Sequence, residues 1–178
     1  VGVEKMKDTE SATPVLARAL DQPSESGQTM VSINANVMRS YFAARRAAGI
    51  SERELLEGFA HFSVNAHANG AKNPDAFLRK PLALEDAMNA RLVNDPLRLS
   101  DCSPVCDGAA CVILTSSAIA ESLGDAPVAL AGSACATDRI SVASRRNPLL
   151  LTAARYSAEK ALREAGLASA DVELVALL

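Results

Sequence analysis

Few side chains in this sequence are suited to covalent or metal chemistry. They are four cysteines, at positions 102, 106, 111 and 135, and two histidines, His61 and His67. A thiolate can attack an acyl carbon and carry it as a thioester, provided a base or a positive field lowers the thiol pKa. The same sulfurs could instead ligate zinc or an iron cluster. The run Cys102-x3-Cys106-x4-Cys111 lacks the paired spacing of a structural zinc site, and no histidine pair completes a ligand set. No metal is therefore expected. A disulfide framework is not expected either, in a chain of this size without a secretory signal. The cysteines read as small apolar residues around a turn and a strand. His61 falls beside an apolar helical stripe and reads as a partly buried structural histidine. His67 opens the segment His67-Ala68-Asn69-Gly70-Ala71-Lys72-Asn73-Pro74, which follows the helix as a loop. Spacing alone supports neither a Ser–His nor a Cys–His dyad.

These residues need elements to hold them. The stretch 95–114, DPLRLSDCSPVCDGAACVIL, reads as a loop that turns at Pro104 and again at Asp107-Gly108. It then enters an apolar run, Ala109 to Leu114, with no polar face, the pattern of a central strand buried on both sides. Val1 to Met6 reads as a strand. Residues 7–28 read as a loop with a short helix around Val15 to Leu20. Ser32 to Ala48 reads as a helix with Ile33, Val37, Tyr41, Phe42 and Ala44 inward and Gly49 as its stop. Arg39, Arg45 and Arg46 fall on its outer face, where a solvated role is preferred to phosphate binding. Ser51-Glu52-Arg53-Glu54 is a capping box, and Leu55, Phe59, Phe62 and Ala66 form the stripe of the helix it starts. A short helix follows around Glu85 to Asn89. Residues 7–95 carry no strand signal. Ser116 to Leu123 reads as a helix closed by Gly124, 127–132 as a strand, and Val172 to Leu178 as another. Between the last two, Thr152 to Ala165 is an amphipathic helix with Ala154, Ala158, Ala161, Leu162 and Ala165 inward. Strand, helix and strand predict a right-handed β-α-β unit with parallel strands.

Composition bounds the function classes. Of 178 residues, 49% are hydrophobic and 22% charged, which argues for a globular chain rather than a disordered one. Aromatics make up 3%, so the core must be aliphatic and Ala-rich. A net charge of −3 gives no electrostatic reason to bind nucleic acid or an anionic membrane. No apolar run approaches a membrane span, and a soluble cytoplasmic protein is the expectation.

The wording of 95–114 is more specific than its pattern. With the opening Val1-Gly2-Val3-Glu4-Lys5-Met6, the His67 to Pro74 segment and Gly132 to Asp138, it resembles the thiolase superfamily. The nearest branch is that of sterol-carrier-type and archaeal acetyl-CoA acetyltransferase thiolases. The resemblance runs through the whole chain in the family's order. It implies an α/β, thiolase-like fold in part, with a mixed sheet and covering helices. Residues 1–124 would end the N-terminal domain, with 7–95 as its loop excursion, and 125–178 would begin the C-terminal domain.

The resemblance also implies chemistry. Thiolases use a nucleophilic cysteine, an activating histidine, a second cysteine that moves the α-proton, and an oxyanion hole. None of these is identifiable here, so no catalytic residue is assigned. What carries over is a binding layer. Ser103 corresponds to a serine whose loop contacts the pantetheine arm of coenzyme A, Cys102 is a small neighbour, Met30 matches a tunnel-lining methionine, and His67 lines the site. The implied ligand is coenzyme A or acyl-CoA as substrate, with no tightly bound cofactor. A homodimer or homotetramer, or a partner protein subunit, is implied by the same likeness. The expected function is part of an acyl-CoA C-acyltransferase for Claisen condensation or thiolysis, inert alone. The alternatives are a non-catalytic acyl-CoA-binding or partner-docking module and, third, a cysteine-based redox or metal protein.

Overall fold

The computed structural model describes residues 1–124 and 128–176. They fall into two compact units. One comprises Gly2–Ala110 and Ile140–Ala143; the other comprises Val1, Cys111–Arg139 and Ser144–Leu178.

The first unit begins with β1 (Gly2–Lys5), a single turn of 3-10 helix (Met6–Asp8), α1 (Ala12–Ala17) and α2 (Gln22–Glu25). Then come the two long helices, α3 (Met30–Ala47) and α4 (Glu52–Gly70). Their ends are written locally. Thr29 and Ser32 exchange hydrogen bonds at the start of α3, Thr29 Oγ1 accepting from Ser32 N at 3.1 Å and Ser32 Oγ from Thr29 N at 2.8 Å. At its end Gly49 adopts φ +90°. The amide of Ile50 bonds the Arg45 carbonyl (3.2 Å) and that of Gly49 the Arg46 carbonyl (2.9 Å), which together satisfy the last carbonyls of the helix. The predicted capping box is present: Ser51 Oγ accepts from Glu54 N (3.3 Å) and the Glu54 carboxylate accepts from Ser51 N (2.9 Å).

The hairpin of α3 and α4 carries the core. Met38, Phe42 and Leu55 are buried, with Ile50, Leu56, Phe59 and Leu97 packed against them. Phe59 meets Phe42 edge to face at a centroid distance of 5.5 Å and Tyr41 at 5.8 Å. The faces differ from expectation. On α3, Ala35 and Met38 are buried while Tyr41 and Ala44 are exposed. On α4 the buried line is Leu55, Ala60 and Ser63; Phe62 is 69% exposed and Ala66 is exposed. His61, expected to be partly buried, is exposed. An apolar stripe wider than the available contact leaves its margins in water.

After α5 (Leu84–Met88), β2 (Leu92–Asn94) and β3 (Leu97–Arg98) form a short antiparallel hairpin through a cis Asp95–Pro96 peptide, in a region where no strand was expected. Arg39 of α3 donates to the Asp95 carbonyl at this turn. A 3-10 turn, Leu99–Asp101, then leads to β4 (Asp107–Ala110), which pairs antiparallel with β1 in the register Lys5↔Asp107 to Gly2↔Ala110. Asp107-Gly108 is therefore strand, not turn. The Asp107 carboxylate accepts from the Lys7 amide at 2.9 Å, which gives it a reason to start the ladder. Segment 140–143 closes the unit, with Val142 N donating to the buried Glu25 carboxylate at 2.8 Å.

The second unit contains α6 (Ser117–Ser122), closed by Gly124 at φ +80°, and α7 (Thr152–Ala165), closed by Gly166 at φ +71°. The half-buried line on α7 is Thr152, Ala153, Ser157, Ala161, Leu162 and Ala165; Ala154 and Ala158 are exposed, against expectation. The expected central strand is not buried: Val112, Ile113 and Leu114 are 77%, 87% and 78% exposed and lie outside any ladder. Residues 128–132 and 172–176 also form no strand, so the parallel β-α-β unit is absent among the described residues. The expected boundary at 125–127 and the last two residues of the final strand lie outside them. Both sheets have two antiparallel strands. An apolar run becomes a strand only where a neighbouring strand takes its N–H and C=O groups, and no described residues pair with these runs as a strand. The α/β composition stands; among the described residues the mixed sheet is not formed.

Candidate functional site

The site is built around the turn after β3. Leu99 N bonds the Arg91 carbonyl at 2.8 Å, and Arg98 Nη1 bonds the Ala90 carbonyl at 2.8 Å, so the backbone before α5's exit strand anchors the turn from one side. Asp101 closes it locally, its carboxylate accepting from Arg98 N at 2.8 Å, and Cys102 N bonds the Leu99 carbonyl at 3.2 Å. From the other side, Ser63 of α4 donates to the Ser100 carbonyl at 2.7 Å. Cys102 leaves this anchored turn half-buried, and Ser103 and Pro104 follow it exposed. A small thiol, a hydroxyl and a proline ring thus stand at the surface on a backbone fixed from two helices, an arrangement that can bind an extended polar ligand through short contacts.

His67 lies four residues beyond Ser63 on α4, one turn further along the same face. Its Nδ1 faces the Lys80 carbonyl at 2.8 Å, so that nitrogen carries the proton and donates. The bond ties the end of α4 to the 71–83 loop. Within that loop Asn73 Oδ1 accepts from Asp75 N at 2.9 Å and staples the turn. Met30 stands on the first turn of α3, exposed, and takes no part in the hydrogen bonds that hold the turn. Cys102, Ser103 and His67 are therefore served by α4, and Met30 by another helix. Ser63 and Ser100 were missed in the sequence. A serine inside a helical stripe is a weak signal, and the partner that gives it meaning is 37 residues away.

Electrostatics argue about which thiol could react. Burial, and secondarily the Asp101 carboxylate, pushes the Cys102 thiol above its ordinary pKa. A thiol held protonated is a poor nucleophile and a poor metal ligand. Among the described residues no group of three or more His, Cys, Asp or Glu side chains could hold a metal ion. No helix there is long and apolar enough to cross a membrane. The α3 arginines are engaged locally: Arg39 with Asp95 and Asn36, Arg45 over the Tyr41 ring at 6.0 Å, and Arg46 with Glu52 at 3.0 Å.

No family model matches the chain. Curated relatives do. An acetyl-CoA acetyltransferase of Methanothermobacter thermautotrophicus is 38% identical over 98% of this chain and 44% of its own length. One of Methanocaldococcus jannaschii is 34% identical over 97% of this chain and 43% of its own. Sterol carrier protein 2 of Bos taurus is 28% identical over 68% of this chain and 23% of its own. The chain spans less than half the length of the archaeal relatives it matches.

Proposed function

The chain belongs to the thiolase-like branch that holds these archaeal acetyltransferases and sterol carrier protein 2, and on that premise we propose that it supplies the coenzyme A and acyl-binding layer of an acyl-CoA C-acyltransferase. The reaction is thioester-dependent Claisen condensation or its reverse, thiolysis. The observation that carries this reading is the doubly anchored turn ending at Cys102 and Ser103, on a chain whose relatives act on acetyl-CoA by name. Ser103 contacts the pantetheine arm, and Cys102, Met30 and His67 line its path. Small side chains on a fixed backbone let a slender arm pass and take hydrogen bonds along it. Coenzyme A is substrate, not resident cofactor.

The chemistry needs a thiolate nucleophile, and Cys102 does not fit that role, because its surroundings favour the neutral thiol. The chain is a binding layer and catalyses nothing alone. Self-association as a dimer or tetramer and a cytoplasmic setting belong to the same reading. Its test is a calorimetric titration with coenzyme A, beside an assay of acetoacetyl-CoA thiolysis. Saturable binding that Ser103→Leu weakens about tenfold, the loss of one polar contact, with no thiolysis, is the expected pair of results. Thiolysis by the purified chain would overturn the claim of inertness, and absence of binding would overturn the claim of a coenzyme A layer.

A second reading rests on the exposed run Val112-Ile113-Leu114. An apolar stretch this open fits a module that docks a partner protein without catalysis. Coenzyme A binding that persists beside a stable complex with a second polypeptide favours it.

A further inference from the structure

The turn that carries Cys102 and Ser103 is held from a distance. Ser63 sits in the middle of α4, only 8% exposed, and its hydroxyl leaves its own helix to donate to the Ser100 carbonyl. Serines inside helices ordinarily bond back to the preceding turn or face water. Ser100 then passes the connection on, its hydroxyl donating to the Ala87 carbonyl of α5 at 3.1 Å. Two hydroxyls in series thus join α4, the 99–101 turn and α5, immediately before the two residues proposed to meet the ligand. Neither hydroxyl belongs to the expected apolar core.

We propose that Ser63 is a positioning residue that, through Ser100, fixes the 99–104 turn and so the placement of Cys102 and Ser103 toward the pantetheine arm of coenzyme A. The assignment rests on the reading of that turn as a coenzyme A contact. Without the Ser63 hydroxyl the Ser100 carbonyl loses its donor, and the turn keeps only its bonds to Ala87, Ala90 and Arg91 and its local ones, with no tie to α4. Cys102 then spends more time exposed and its thiol reacts more readily.

The test uses the whole chain with Ser63→Ala, Ser63→Thr and Ser100→Ala, and two readouts. The first is the rate of iodoacetamide labelling at each cysteine, resolved by peptide mass spectrometry. Ser63→Ala is expected to raise the rate at Cys102 by about 3- to 10-fold, the loss of one buried hydrogen bond, with Cys111 and Cys135 unchanged. Ser63→Thr keeps a hydroxyl and restores the wild-type rate. If Ser63→Ala labels every cysteine faster, the helix itself has loosened and Ser100→Ala, which removes only the second bond, decides. No rise at Cys102 in either alanine variant overturns the proposal. The second readout is coenzyme A affinity, expected to fall by a similar factor in Ser63→Ala. A wild-type chain that binds no coenzyme A overturns the coenzyme A reading, and with it the ligand half of this proposal. The labelling rates then still decide whether Ser63 sets the turn.

Discussion

Gly132 lies against the backbone of α7 so closely that a Cβ on it would stand 2.2 Å from the Ala161 carbonyl oxygen. The same side would meet the Ala165 amide nitrogen at 3.3 Å. Neighbouring Ser133 adds an anchor, its amide donating to the Glu164 carboxylate at 3.3 Å. Segment 128–134 forms no strand, yet this contact seats it on the helix. Gly132→Ala must push the segment off α7, and overpacking of this kind costs about 1–3 kcal/mol. Thermal unfolding followed by circular dichroism should show the drop. Gly108→Ala, where a Cβ would meet nothing within 4 Å, is the matched control and should hardly move the midpoint. Equal effects at the two positions would sink the argument.

Phe42 and Phe62 test which face of the helical hairpin is core. Phe42 is 3% exposed and stacks edge-on against Phe59. Phe42→Ala should cost about 3–5 kcal/mol of unfolding free energy in urea. Phe62 is exposed on α4, so Phe62→Ala should stay within about 0.5 kcal/mol. A large loss at Phe62 would mean that this face is covered in solution.

The long helices α3, α4 and α7 were legible in the sequence because their signals are local, whereas the short α1 lies three residues upstream of where it was expected and α2 was not expected. Ser51 and Glu54 announce α4 within one turn, and Gly49 and Gly166 mark the ends of α3 and α7 with a backbone angle other residues avoid. Which side of each helix is inside was less legible, because remote partners decide it. Ser63 is buried rather than Phe62 since the 99–101 turn, far along the chain, packs there. The apolar run Ala109 to Leu114 says that it should be covered but not by what, and the described residues leave Ile113 open. At the site, the family likeness picked out Cys102 and Ser103, while the hydroxyl pair that holds their turn had no local signature.

Cys102 supplies a pH prediction. Its thiol is pushed up by burial first and by Asp101 second. The folded chain thus holds the proton more tightly than the unfolded chain does. This contribution to stability is fully present below the unfolded thiol pKa and is lost as pH rises through the folded one. Labelling of Cys102 should reach half its maximal rate at a higher pH than that of a short unfolded peptide of the same sequence. A profile at or below the peptide's would contradict the burial argument.

The α4 cap responds in the opposite direction. Hydrogen bonds from the Ser51 hydroxyl and amide hold the Glu54 carboxyl below its usual pKa. A lowered folded-state pKa gives stability above the unfolded value that disappears as pH falls through the folded one. Ser51→Ala should lower the midpoint by about 2–4 °C at neutral pH, the effect of losing one N-cap. The gap between variant and wild type should narrow as the solution is acidified below the carboxylate range. A gap that stays constant down to pH 3 would show that Glu54 does not contribute through its charge.

The bond from Val142 to Glu25 has a consequence for synthesis. It joins residues 117 apart in sequence within a single compact unit. Everything from Gly2 to Ala110 can leave the ribosome before the piece that covers the Glu25 carboxylate exists. At a translation rate of roughly 5–20 residues per second, that acid waits about 6–23 s for its amide partner. During this interval the nascent chain carries an exposed acidic notch at α2, a place where a chaperone or a charged neighbour can act before the fold closes over it.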